Sequence, residues 1–136
     1  MKMAPIIKSL ESSGKNVVIV HTGQHYDKSM SGNIIKNLDI KEPDYHLGEM
    51  KGSHAEQTAK IMVGFEAICN SESPEIVIVA GDVNSTVACA LVAAKMHIKI
   101  AHVESGLRSF DKTMPEEINR IVTDHISDFL FTTEIS

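Results

Sequence analysis

The residues predict an α/β fold, a parallel sheet doubly wound with helices on both faces. Three observations predict it. β-Branched runs recur at 17–20 and 76–79, with a third apolar strand at 99–103; runs without polar alternation mark strands covered on both faces. Segments of ten or more residues with helical character separate the later runs, as βαβ units require. Polar clusters follow where these strands end, the edge at which open α/β sheets bind ligands.

The elements follow in order. Residues 2–13 read as a helix, with Ile6, Ile7 and Leu10 on one face and Gly14 as its C-terminal stop. Residues 16–22 form the first strand. Asp27 is placed to cap a helix reaching about Leu38, and 43–47 reads as a short edge strand. Ser53-His54-Ala55-Glu56 has the form of a capping box at the head of a helix over 53–69. Strand 75–80, an Ala- and Val-rich helix over 84–96, strand 99–103, a helix over 116–127 and a strand at 129–132 complete the chain. The chain opens on a helix, whereas such folds open on a strand that is central in the order 3-2-1-4-5-6. Strands 17–20 and 76–79 are therefore expected to lack the neighbour between them, and both ends read as cut.

Size and composition narrow the classes. The 136 residues fit one domain. No apolar run approaches the roughly 20 residues that cross a bilayer, and the N-terminus lacks the apolar length and cleavage site of a signal peptide. Cys69 and Cys89 sit in apolar helical segments and read as buried thiols in a reducing cytosol. A net charge of -5, four Phe, two Tyr, no Trp and no block of Lys and Arg argue against nucleic acid as a partner. The methionines read as core filler.

Charge is densest between His102 and Arg120. Burying an unpaired carboxylate costs several kcal/mol, so a site explains this stretch better than a core does. Upstream, Gly81-Asp82-Val83-Asn84-Ser85-Thr86 leaves strand 75–80. Gly81 permits a tight turn, Asn84 or Ser85 is placed to cap the next helix, and that helix start favours anions. Asp82 reads either as a ligand-facing carboxylate or as a plain N-cap worth about 1 kcal/mol. Glu104 occupies the equivalent place on the next strand, ~5–10 Å away by strand spacing, close enough for one carboxylate to raise the other's pKa. The plainer reading pairs Glu104 with Arg108 or Arg120. Pro115-Glu116-Glu117 opens a helix, where first-turn carboxylates are expected on dipole grounds alone; Asn119 and Arg120 on its next turn are placed to brace it. His21 and His25 are four apart but not on a helix, so a ligand-touching loop with Gln24 and His25 is expected there rather than a metal site. No Walker lysine, Gly-x-Gly-x-x-Gly, Cys-x-x-Cys or Gly-x-Ser-x-Gly is present.

Taken together, Lys2-Met3-Ala4-Pro5, Thr22-Gly23-Gln24-His25, Gly81-Asp82, His102-Val103-Glu104-Ser105-Gly106-Leu107-Arg108 and Pro115-Glu116-Glu117-Ile118-Asn119-Arg120 resemble the non-hydrolysing UDP-N-acetylglucosamine 2-epimerases over nearly the whole chain. The resemblance implies a Rossmann-like sheet, the N-terminal half of a GT-B-type pair of domains. The resemblance further implies that the family's first strand and its Gly-Thr-Arg-Pro-Glu loop lie upstream of Lys2, and that the UDP-binding second domain, with its catalytic histidine, is expected to be missing from residues 1–136. It implies interconversion of UDP-GlcNAc and UDP-ManNAc by anti elimination of UDP to 2-acetamidoglucal and re-addition on the other face. By motif, Asp82, Glu104 and Glu116 match the catalytic carboxylates, while Lys2, Gln24, His25, Arg108, Glu117 and Asn119 match substrate-binding or supporting groups. No metal or other cofactor is implied. Residues 1–136 are expected to be inactive alone and, as part of a full-length protein, to belong to a cytoplasmic homodimer feeding cell-envelope or surface-polysaccharide synthesis, with no membrane or nucleic-acid partner. Two alternatives stay open: a hydrolysing 2-epimerase releasing UDP and ManNAc, and a non-catalytic nucleotide-sugar-binding remnant.

Overall fold

The computed structural model describes residues 4–22, 42–47, 52–103 and 109–131. They fall into two units, within residues 1–50 and 51–136.

In the first unit, α1 spans Ala4–Ser12 and buries Ile7. Gly14 ends it at φ +80, a left-handed conformation that glycine adopts without a Cβ penalty, and the Lys15 N–H donates to the Leu10 carbonyl at 3.0 Å. The strand expected over 16–22 is pared down to β1, Val20–His21, because its parallel partner β2 is only Tyr45–His46. Just upstream, the Ile19 N–H is taken by the Asp44 side chain at 2.7 Å rather than by a strand. Residues 17–22 are half-buried, not covered on both faces. The helix expected from Asp27 lies outside the described residues.

The second unit holds a three-stranded parallel sheet in the order β3 (Ile76–Ala80), β4 (Lys99–Val103), β5 (Phe129–Phe131). Among the described residues the strands form two sheets, β1 with β2 and β3 with β4 and β5, rather than the one sheet expected from the sequence. The register sets Ala80 beside Val103, so both strands end level at one sheet edge. Before β3 comes α2 (His54–Glu72), whose Ile61, Phe65, Ile68 and Cys69 form a buried stripe at helical spacing. Its capping box is complete: Ser53 Oγ accepts from the Glu56 N–H and Glu56 Oε1 from the Ser53 N–H, each at 3.1 Å.

Helix α3 (Asn84–Lys95) is buried from Asn84 to Ala90 and again at Val92 and Ala93. Its small side chains let it pack among α2, α4 (Pro115–Ile126), β3 and β4. Cys69 and Cys89 are free and buried, and burial pushes the Cys89 thiol up to about 12. Among the described residues no helix is long and apolar enough to cross a membrane.

Helix α4 inverts the usual amphipathic rule. It buries Glu117, Asn119, Thr123 and Asp124 and leaves Ile118 exposed. Buried polar groups are costly unless paired: the 109–110 backbone takes Glu117, the turn after β3 takes Asn119 and His102 takes Asp124, while Thr123 Oγ1 has no partner among the described residues.

Candidate functional site

Gly81 carries the chain out of β3 at φ +82, and its N–H donates to the Val103 carbonyl at 3.2 Å, one step beyond the strand ladder. Asp82 follows. The N-cap of α3 is Val83, with no side-chain cap bond, so neither Asp82 nor Asn84 nor Ser85 caps this helix. Asp82 turns instead to α4: Arg120 donates to its Oδ2 from Nε at 3.0 Å and from Nη2 at 2.6 Å. Its Oδ1 has no partner among the described residues, and the Asp82 side chain keeps 30% of its surface exposed.

Asn119, one residue before Arg120, donates from Nδ2 to the Asp82 carbonyl at 2.9 Å and to Asn84 Oδ1 at 3.2 Å. Asn84 in turn donates from Nδ2 to Nδ1 of His54 at 2.8 Å and to Oε1 of Gln57 at 3.0 Å. An amide donor on Nδ1 leaves the proton of a neutral His54 on Nε2. One buried asparagine thus joins the starts of α2 and α3 to α4.

Glu117 is 1% exposed. Its Oε1 accepts from the Ser109 N–H at 2.9 Å and from Arg120 Nη1 at 3.3 Å, and its Oε2 from the Phe110 N–H at 2.8 Å. The Ser109 bond leads the causes that hold its carboxyl below the usual glutamate range, with Phe110 and the Arg120 charge adding to it against desolvation. Arg120 is held above its ordinary value first by its bond to Asp82.

Behind the turn, His102 in the middle layer of the sheet is fully buried. Its Nδ1 lies 2.5 Å from Asp124 Oδ1 and its Nε2 2.8 Å from the Gly81 carbonyl oxygen. Sequence reasoning missed this pair. The only signal was a histidine between the apolar Ala101 and Val103 of the strand.

Of the residues expected to form the site, Asp82 and Glu117 are brought together through Arg120, and Asn119 joins them through its bond to the Asp82 carbonyl. Glu117 and Asn119 spend their polar atoms inside the protein. Glu116 is half-buried in the first turn of α4, and its side chain makes no hydrogen bond or ion pair among the described residues. Lys2, Gln24, His25, Glu104 and Arg108 lie outside the described residues. Arg120, offered as a partner for Glu104, is engaged by Asp82 and Glu117. A groove of about 570 Å³ runs beside this cluster, walled by His54, Thr58, Met62, Asn84, Pro115 and Asn119 among others. It borders the cluster through the two asparagines, and Asp82 is not part of its wall. Among the described residues no three His, Cys, Asp or Glu side chains gather to hold a metal ion.

Residues 8–135 match the family model described as UDP-N-acetylglucosamine 2-epimerase. The chain belongs to that family. It is 47% identical over 137 residues to the UDP-N-acetylglucosamine 2-epimerase of Methanocaldococcus jannaschii, an alignment covering all of this chain and 37% of that protein. It is 48% identical over 122 residues to a UDP-2,3-diacetamido-2,3-dideoxy-D-glucuronate 2-epimerase of Pseudomonas aeruginosa, covering 90% of this chain and 34% of that one. The crystal structure of the M. jannaschii epimerase in complex with UDP-GlcNAc and UDP superposes with a TM-score of 0.90 at 47% identity, over 96% of this chain and 36% of that chain. The chain therefore spans little more than a third of these epimerases, and the likeness to solved members carries their GT-B α/β fold over that third.

Proposed function

We propose that residues 1–136 supply the N-terminal Rossmann-like part of a 2-epimerase that interconverts UDP-GlcNAc and UDP-ManNAc. What carries the reading is Asp82: a partly exposed carboxylate at the C-terminal edge of a parallel strand, gripped among the described residues on one oxygen, in a chain of the epimerase family. In this reaction a base removes the C2 proton while the C1–O bond to UDP breaks, leaving 2-acetamidoglucal. A proton then returns to C2 on the other face as UDP adds back to C1. Such chemistry needs several groups that exchange protons around one ring, and we assign these roles to Asp82, Glu104 and Glu116.

Lys2, Gln24, His25 and Arg108 are assigned to substrate contact. Glu117 and Asn119 serve the same site by holding the 109–110 backbone and the Asp82 turn. The uncapped start of α3 adds N–H groups at the same sheet edge, which suit a departing diphosphate. The UDP-binding half and its histidine are placed in a second domain, and the full-length protein is read as a cytoplasmic homodimer.

The test is a chimera in which residues 1–136 replace the matching segment of the M. jannaschii relative. It is expected to convert UDP-GlcNAc to UDP-ManNAc, with deuterium entering at C2 in heavy water. A folded chimera that leaves UDP-GlcNAc untouched, or that yields free ManNAc and UDP, overturns the assignment.

A further inference from the structure

We infer that His102 is a positioning residue for Asp82, acting through the carbonyl of Gly81, with Asp124 orienting its ring. The inference rests on the proposed role of Asp82, but its structural half can be tested without turnover.

The protons can be placed by counting. A backbone carbonyl only accepts, so the 2.8 Å contact to Gly81 requires the hydrogen on Nε2 of His102. At the other nitrogen, 2.5 Å from Asp124 Oδ1, one further proton is shared between ring and carboxyl. Wherever it sits, the pair is neutral as a whole, the arrangement that a buried site tolerates best. A neutral imidazole with its proton on Nδ1 would face the carbonyl with a lone pair and push it away.

Asp124 and Arg120 are four residues apart on α4 and therefore share a face. Through Asp124 and His102, α4 reaches the Gly81 carbonyl; through Asn119 it holds the Asp82 carbonyl, and through Arg120 the Asp82 carboxylate. The turn is thus held at three successive acceptors. Gly81 sits at φ +82 with no described atom within 4 Å of a notional Cβ, so hydrogen bonds fix it: its N–H to the Val103 carbonyl and its carbonyl from His102.

Two substitutions separate the halves of the relay. In His102→Gln the amide nitrogen takes the place of Nε2 and keeps the Gly81 bond; in His102→Asn it takes the place of Nδ1 and keeps only the Asp124 bond. In the 136-residue chain, NMR is expected to show both His102 ring protons, and slow exchange of the Arg120 Nε–H that points at Asp82. His102→Asn should speed that exchange by about tenfold, with His102→Gln staying near the parent. In the chimera, His102→Asn should lower kcat by up to about 10²-fold with KM little changed, and His102→Gln should recover most of it. An unprotonated Nε2 in the parent chain, or Gln and Asn variants with equal exchange at matched melting temperature, overturns the inference. A parent chimera without turnover counts against the epimerase reading alone and leaves the exchange result standing.

Discussion

Arg120 donates to Asp82 from two nitrogens, and both bonds end on one oxygen, Oδ2. Side-on pairing of this kind orients the carboxylate, and no described residue engages Oδ1. The same guanidinium reaches Glu117 with Nη1 at 3.3 Å. Arg120 thereby ties the turn after β3 to the loop at 109–110.

Lysine at position 120 would keep the charge but present a single point donor. Arg120→Lys is expected to cost about 1.5–3 kcal/mol in urea unfolding, the range for hydrogen bonds to charged groups. In the chimera it should lower kcat more than it raises KM. Unchanged unfolding together with unchanged kcat would remove Arg120 from the account.

Glu117 links stability to pH. Its folded pKa is depressed below the ordinary 4.5, so its contribution is fully present above that value and is lost as pH falls through the lower folded value. The stability gap between the parent chain and Glu117→Gln should therefore be constant at neutral pH and narrow below pH 4.5. A gap that widens on acidification would show that the carboxylate is not what holds Ser109 and Phe110.

Asn84→Ala strands three partners at once: His54, Gln57 and Asn119 each lose a bond. A buried polar group left unpaired costs about 1–3 kcal/mol. Most of the loss should therefore appear in thermal and urea unfolding, although alanine is the better helix former. A variant as stable as the parent would mean that water replaces the asparagine without penalty.

Much of the second unit was legible in the sequence. The capping box at Ser53, strand β4 and Pro115 at the head of α4 follow from local rules that tertiary contacts do not override. The apolar run at 17–20 was misjudged because a strand is only as long as its partner, and Pro43 and Asp44 leave β2 two residues. Asp82 and Arg120 were both singled out, yet their pairing was not foreseen, since 38 residues separate them. The inward polar face of α4 was hidden for a similar reason. Periodicity reports apolar burial, whereas here Glu117, Asn119 and Asp124 are buried because a turn, a loop and a histidine wait for them. Glu104 and Arg108, prominent in the sequence, lie outside the described residues.

The kcat of the chimera carrying Asp82→Asn, measured beside its parent, bears most directly on the central claim. The amide keeps the shape of the side chain and an oxygen for Arg120, but it can no longer take up a proton. Loss of a general acid–base group predicts a fall of about 10²-fold or more, with the melting temperature close to that of the parent. Turnover within a few-fold of the parent would show that Asp82 is a brace for α4 and not a working carboxylate.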